Sequence, residues 1–399
     1  MTDYKKNLKK ITQILPVRLS ERLYVLINFI LKPKLSYNKI KTTQNYLKQL
    51  KLKDRKKFFN SKKAIWRYTF RTNNIENQEK FLSTYLYSSM KKIKDDVNNR
   101  FTDKNLPVLI CAVKNDLDRV KMQFEHHKKL GIERFVYIDN MSDDGTFEWL
   151  KKQDVDLYQT SDTYSASARN AWFRLIIDIY GYNRWYLVLD SDELLAYPGM
   201  EEKNIKSLTK FLDLKRINVL KSFMLDMYPF QSIDFSKNSN RKLKLDDYKF
   251  FDTEYEMNKS FRGKSVYGGP RWRVFEKFNE NFKPNLTKNP LVYMKKDFFF
   301  SVHHLMPYYK NNKCEIFSTL IHYKFLESDI DKIIHAVKKE NYAGGSAEYK
   351  AYLEEIKEKD FVLSFHTTNS QEFKSSNDLL KINIFDRNFA TEFKDLKIE

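Results

Sequence analysis

An α/β fold, with a mostly parallel, Rossmann-like sheet flanked by helices, follows from three features of this 399-residue chain. Val108-Leu109-Ile110-Cys111-Ala112-Val113 is an unbroken apolar run, the composition of a strand buried on both faces. Further runs of this kind alternate with segments of helical periodicity as far as residue 200. The connections between them are short, as βαβ units on a parallel sheet require.

The elements can be justified in order. The first hundred residues read as helical and basic. Arg18 to Leu31 sets Leu19, Leu23, Leu26, Ile27 and Ile30 at three- and four-residue spacing, an amphipathic helix expected to pack on the main body, with a membrane surface as the alternative. Lys48 to Lys63 is lysine-rich enough for an exposed helix or a linker. After the Val108 strand, Leu117 to Leu130 has helical spacing and meets a C-capping Gly131. Arg134 to Ile138 is a second strand, Asp143-Asp144-Gly145 a turn, Thr146 to Lys152 a short helix and Val155 to Tyr158 a third strand. Ala166 to Tyr180 is a helix and Trp185 to Leu189 a fourth strand. Beyond about residue 215 the pattern turns to strands and loops rich in aromatics, and from Ser328 it is helical again, most clearly over Asp329 to Tyr352. The expected division is a basic helical extension (1–100), a central α/β domain (101–327, with halves 107–200 and 201–327) and a helical C-terminal extension (328–399).

Composition narrows the class. At 42% hydrophobic and 15% aromatic residues the chain can bury a sizeable core, which excludes a disordered or fibrous protein. The net charge is +20, with Lys and Arg recurring along the whole chain rather than in one block. That reads first as a solvated surface and second as attraction to anionic lipid. Nucleic acid is not an expected partner, because no basic-aromatic motif or finger spacing occurs. Cys111 and Cys314 cannot form a disulfide framework and point to a reducing compartment. No apolar run is long enough to span a membrane. The basic start, Met1 to Lys10, is followed by an interrupted apolar stretch without a small-residue cleavage site, so no signal peptide is expected. The expected location is cytoplasmic, with the basic helices at the inner membrane face.

Ligands of open α/β sheets bind beyond the carboxyl ends of the strands. There stand Lys114, Asn115 and Asp116 after the first strand, Asp139, Asn140, Ser142, Asp143 and Asp144 after the second, and Asp190-Ser191-Asp192-Glu193 after the fourth. Asp190 and Asp192, delivered by a buried strand, suit a hard divalent cation, Mn2+ or Mg2+, which would neutralise a diphosphate leaving group. Asp144 is expected to cap the helix starting at Thr146. Gly268-Gly269-Pro270 is a loop able to approach a ligand, followed by Arg271 and Arg273 as fork-shaped phosphate donors or as partners of surface acids.

Ile138-Asp139-Asn140-Met141-Ser142-Asp143-Asp144-Gly145-Thr146 resembles the "DDGSTDGT" segment of family-two glycosyltransferases. Ala168-Arg169-Asn170 resembles their "ARN", and Leu189 to Glu193 their "DxD" stretch, in matching order over about residues 107–200. Leu225 to Pro229, Phe250-Phe251-Asp252, Gly268 to Phe275, Pro284 to Leu291, Ser301-Val302-His303 and Leu320 to Phe325 are similar to blocks of a bacterial subgroup, extending the resemblance over 107–352. The first strand departs from it, ending Lys114-Asn115-Asp116 where many relatives have Asn-Glu.

The resemblance implies a GT-A fold, a nucleotide-sugar donor and a divalent metal. It implies Val113, Asn115, Asp139, Arg169, Asp190, Ser191 and Arg271 on the donor, with Asp139 near the base; for Arg169, pairing with Asp190 or Glu193 is the alternative. A histidine completing the metal shell would be His322, or else His303, while His304 reads as structural. The base that deprotonates an acceptor hydroxyl is sought first in Asp226, then in Asp252 and Glu193. The acceptor implied is a glycan or lipid-linked glycan of the cell surface. Two other classes stay open. A nucleotidyltransferase would carry a Gly-rich loop after the first strand, and Lys114-Asn115-Asp116 has no glycine; a non-catalytic membrane-surface protein would not need the Asp190/Asp192 pair.

Overall fold

The computed structural model describes residues 16–72, 74–95, 106–236, 243–278, 283–311, 313–340 and 343–396, so the basic start Met1 to Lys10 lies outside the described residues. Four helices come first: α1 (Val17–Leu31), α2 (Pro33–Lys53), α3 (Arg55–Arg71) and α4 (Ile75–Tyr87). The lysine-rich stretch is the meeting of α2 and α3, with Asp54 between them accepting from Lys57 N.

Strands β1 (Lys91–Lys94), β2 (Val108–Val113), β3 (Arg134–Asp139), β4 (Asp156–Gln159), β5 (Arg184–Asp190), β6 (Glu193–Ala196), β7 (Val219–Asp226), β8 (Thr287–Met294) and β9 (Ser318–His322) form one sheet in the order β1-β4-β3-β2-β5-β8-β7-β9-β6. The four strands β4-β3-β2-β5 are parallel neighbours, as are β7 and β9, while β1, β8 and β6 run against their neighbours. The expected α/β class holds, and the expected first four strands lie within a residue or so of their predicted bounds. β1 departs from the purely helical N-terminal extension by adding an edge strand.

Alternation along the strands explains the layering. Leu109, Cys111, Val113, Leu187 and Leu189 face a core closed by α5 (Leu117–Lys129), α6 (Thr146–Lys152), α8 (Ile205–Leu214) and α12 (Arg387–Asp395). Val108, Ile110, Tyr186 and Val188 face the other core, closed by α7 (Ala166–Tyr180). Gly131 (φ 91°) turns the chain out of α5, and Gly145 (φ 93°) turns it into α6, as the sequence requires. The predicted Gly268-Gly269 loop instead opens a helix, α9 (Gly269–Phe275), packed so closely that a Cβ on Gly269 would stand 2.8 Å from the Tyr255 ring. The C-terminal helices α10 (Ile330–Lys339) and α11 (Ala343–Glu358) share a core with β7 through Ile333, Tyr352, Phe223 and Leu225.

The N-terminal helices also share a core with the body. Phe81 stacks along Tyr85 and meets Phe299 edge-on, with ring centroids 5.4 Å apart, and Ala171 of α7 joins the same cluster. α1 packs on the body as expected, with Val17 and Tyr24 partly buried against the same cluster, but not through the predicted stripe. Its buried residues are Ser20 and Glu21, held by the Arg71–Glu21 ion pair at 2.6 Å, while Leu19, Leu26 and Ile30 of the predicted apolar stripe are exposed. Nor is charge evenly divided. Residues 1–100 hold 25 Lys and Arg against 7 Asp and Glu, and residues 101–399 hold 47 against 45.

Because Phe81 belongs to a core built by both extension and body, Phe81→Ala should destabilise the whole chain by about 3–5 kcal/mol in a single transition. Chemical denaturation followed by fluorescence and by far-ultraviolet dichroism checks this; separate transitions for helices and sheet would contradict a shared core.

Candidate functional site

Strand register brings the acidic groups together. In the parallel pair β7–β9, Asp226 stands opposite His322; in the antiparallel pair β9–β6, His322 stands opposite Glu193. Directly opposed residues project to the same face. On the other half of the sheet, Asp190 lies beside Ala112, and Val113 beside Asp139. The strand ends therefore form one acidic rim.

Asp190 is clamped. Its Oδ1 receives Arg169 Nη1 at 2.5 Å and its Oδ2 receives Lys288 Nζ at 2.7 Å. Burial alone would raise its pKa, but the two cations hold it well below the carboxylate range. Arg169 thus occupies the paired position weighed against donor contact. Lys288, buried on β8, also stands 2.8 Å from Glu193 Oε1. That oxygen accepts no directed hydrogen bond among the described residues, whereas Glu193 Oε2 accepts from Asp190 N at 3.0 Å. Burial leads in raising the Glu193 pKa, with Asp190 and Asp192 adding to it.

His322 joins the two halves of the rim. Its Nδ1 lies 2.6 Å from Asp226 Oδ1 and its Nε2 3.4 Å from Asp192 Oδ2. A proton on Nδ1, donated to Asp226, leaves the Nε2 lone pair facing Asp192, the carboxylate–imidazole arrangement that orients metal-binding histidines. Burial would lower the His322 pKa, but Asp192 and Asp226 raise it. One ligand atom each from Asp192, Glu193 and His322 lie within 4.8 Å of one another. Two carboxylates and an imidazole, one carboxylate oxygen lacking a directed donor, suit a divalent cation. The metal set expected from sequence was Asp190, Asp192 and His322; the geometry puts Glu193 in the cluster and surrounds Asp190 with cations.

Asp226 is not a free carboxylate. Arg271 forks onto it, Nη2 to Oδ1 at 2.6 Å and Nε to Oδ2 at 3.0 Å. Burial is outweighed by Arg271 and His322, which bring its pKa down to about 2, too low for an effective base near neutral pH. Arg271 is itself spent on Asp226 and on Glu348 of α11, at 2.9 Å, rather than open to a phosphate. Asp252 lies apart, bound by Tyr228 Oη at 2.5 Å and by Arg273 at 3.1 Å.

The second strand end is ordered by its own side chains. Buried Asp139 accepts from Gln159 Nε2 at 3.0 Å and from Ser142 N at 3.2 Å. The Val113 carbonyl accepts from Asn140 N at 2.8 Å. Asn115, at φ 51°, donates to Asp143 Oδ1 at 2.6 Å and accepts from Asp143 N at 2.9 Å. Asp144 accepts from Thr146 N at 2.9 Å and from Leu117 N at 3.2 Å, bridging the starts of α6 and α5. Ser191 Oγ donates to Asp116, which also receives Arg119 at 3.0 Å; Arg119 in turn pairs with Asp329. His303 Nδ1 donates to the Thr287 carbonyl, 2.7 Å away, and burial with Lys288 brings its pKa down to about 4.

Sequence reasoning missed Lys288, Arg119 and Glu348. Lys288 had a signal: a lysine in a strand that runs on into Pro290-Leu291-Val292-Tyr293-Met294 must either reach solvent or meet acids. Arg119 and Glu348 lie on amphipathic helices, where a charged residue normally faces water.

No protein-family model and no curated protein matches the chain. Among solved structures, an apo-form UDP-glucose pyrophosphorylase is similar over 62% of this chain and 98% of its own at 9% identity, with a TM-score of 0.26. Likeness that slight carries no argument.

Two outcomes follow from the geometry. Asp192→Asn should abolish calorimetric Mn2+ binding, while Asp252→Asn leaves it unchanged; equal binding by both would dismiss the cluster. Asp226→Asn should cost about 3–5 kcal/mol of stability, since it leaves the Arg271 charge buried and half-compensated. Chemical denaturation of the variant measures this.

Proposed function

We propose that the chain is a metal-dependent glycosyltransferase of GT-A type, moving a sugar from a nucleotide-diphosphate donor to a hydroxyl of a cell-surface glycan, including lipid-linked ones. The observation that carries this reading is the convergence of Asp192, Glu193 and His322 at the carboxyl rim of a partly parallel sheet. The resemblance of Asp139 to Thr146, Ala168 to Asn170 and Leu189 to Glu193 to family-two segments supports it independently. Asp192, Glu193 and His322 would hold Mn2+ or Mg2+, which supplies Lewis-acid stabilisation of a departing diphosphate.

The chain's own residues do the rest. Asp139, with Val113 and Asn115 beside it, forms the floor for the nucleotide base. Arg169 and Lys288 clamp Asp190 from either side and fix the turn that carries Asp192, and Ser191 keeps that turn tied to Asp116. Asp226 orients His322 instead of taking the acceptor proton. Glu193, as a metal ligand, cannot take that proton, which leaves Asp252, apart from the cluster and held by Tyr228 and Arg273, as the remaining carboxylate of the three. The acceptor would enter over the strand-and-loop region that follows β7. A cytoplasmic site at the inner membrane face would give access to lipid-linked acceptors, and no described helix is long and apolar enough to cross a membrane.

Incubation with a panel of nucleotide-diphosphate sugars and either metal should release nucleoside diphosphate from one donor class. Asp192→Asn should cut that release by roughly 10²-fold or more. Release of pyrophosphate would instead assign nucleotidyl transfer, and absence of both binding and turnover would assign a non-catalytic role.

A further inference from the structure

The corner between α2 and α3 encloses a cleft that the active-site reading does not use. It measures about 400 Å³ and is lined by Lys53, Lys56, Lys57, Asn60, Tyr85 and Asp178, among others. Lys53 Nζ donates to the Leu86 carbonyl at 2.7 Å; Lys57 Nζ donates to the Tyr85 carbonyl at 3.1 Å and lies 4.2 Å from the centre of the Tyr85 ring. Among the described residues, no carboxylate stands within ion-pairing distance of these three lysines. The carboxylates lining the cleft are engaged elsewhere. Asp54 accepts from Lys57 N at 2.8 Å, and Asp178 takes the hydroxyls of Tyr85 and Tyr182 and pairs with Arg174 Nε at 3.3 Å. Burial lowers the Lys57 pKa against the opposing pull of Asp178 and Asp54. The cleft is thus a concave surface on which three lysines outnumber the two carboxylates, Asp54 and Asp178, so its net charge is positive.

Its rim is apolar. Leu52 is 89% exposed, Tyr87 58% and Ile179 57%, and Lys53 Nζ sits 4.9 Å over the Tyr87 ring. The surrounding extension carries almost all of the chain's net charge, 25 basic against 7 acidic residues in positions 1–100. A basic hollow with apolar projections on a strongly cationic face matches the interfacial zone of an anionic membrane. We infer that this cleft seats the phosphate of an anionic lipid headgroup, with Lys53, Lys56 and Lys57 on the phosphate and Leu52, Tyr87 and Ile179 at the acyl-chain boundary. The site is separate from the acidic rim: Asp178 and Arg169 lie at opposite ends of α7, about 14 Å apart along its axis at the usual rise per residue.

Flotation of the full chain with phosphatidylcholine vesicles, with and without phosphatidylglycerol, tests this by binding alone, so its outcome is independent of any turnover. Binding should require phosphatidylglycerol and fall with salt. Lys53→Gln/Lys56→Gln, which alters exposed side chains, should weaken it roughly tenfold or more. The control Lys128→Gln/Lys129→Gln, on α5, should change it less than about twofold. Leu52→Ser/Ile179→Ser should weaken it as well, without lowering the melting temperature. Equal loss in both lysine variants, or equal binding to neutral vesicles, would overturn the cleft as a lipid site. A rise in melting temperature with inorganic phosphate that Lys53→Gln/Lys56→Gln abolishes, without vesicle binding, would assign it to a soluble phosphate and overturn the lipid.

Discussion

Burying several carboxylates side by side is the constraint to which the rest of the structure answers. Asp116, Asp190, Asp192, Glu193, Asp226 and Asp329 gather along one rim, and each unpaired charge there would cost several kcal/mol. The compensating cations come from separate parts of the chain: Arg119 from α5, Arg169 from α7, Arg271 from α9, Lys288 from β8 and His322 from β9. The ion network therefore fastens the parallel half of the sheet to the antiparallel half and to the C-terminal helices. Replacing it with apolar groups could preserve stability; what it supplies is a set of charges with fixed positions.

The parts of this arrangement legible in sequence are those decided locally. An apolar run that ends in acids identifies β5 and its turn, and an apolar run that ends in histidine identifies β9. Asp139 and the Asp144 cap follow from turn chemistry just after β3. Partnerships across long separations were not legible. Arg271 looked like a phosphate ligand because its fork suits phosphate, yet the same fork suits a carboxylate, and only the packing of α9 against β7 puts Asp226 within its reach. The same holds for Glu193. Its place in the cluster comes from pairing with His322 across an edge strand, which no periodicity in Glu193 to Ala196 announces.

Periodicity also misjudged α1. Spacing predicts which face of a helix is apolar, not which face the protein covers. Here the Glu21–Arg71 pair and Ser20 form the buried side, Val17 and Tyr24 pack partly on the shared core, and Leu19, Leu26 and Ile30 stay outside. Charge was misread for a related reason: a total of +20 conceals a near-neutral body and a cationic extension. Both corrections concern the N-terminal extension, whose first helix is the part that leaves most hydrocarbon outside.

The contacts of Arg119 with Asp329, and of Arg271 with Glu348, bear on how the protein is made. Synthesis runs from the amino terminus, so the whole sheet, including β9, leaves the ribosome before either acid does. Until then two guanidinium groups destined for burial lack their outer counterions, and the helices that close over them do not yet exist. The acidic rim is thus among the last regions to become rigid in a nascent chain. A product terminated before α10 would carry all nine strands of the main sheet and still hold its ligating groups loosely.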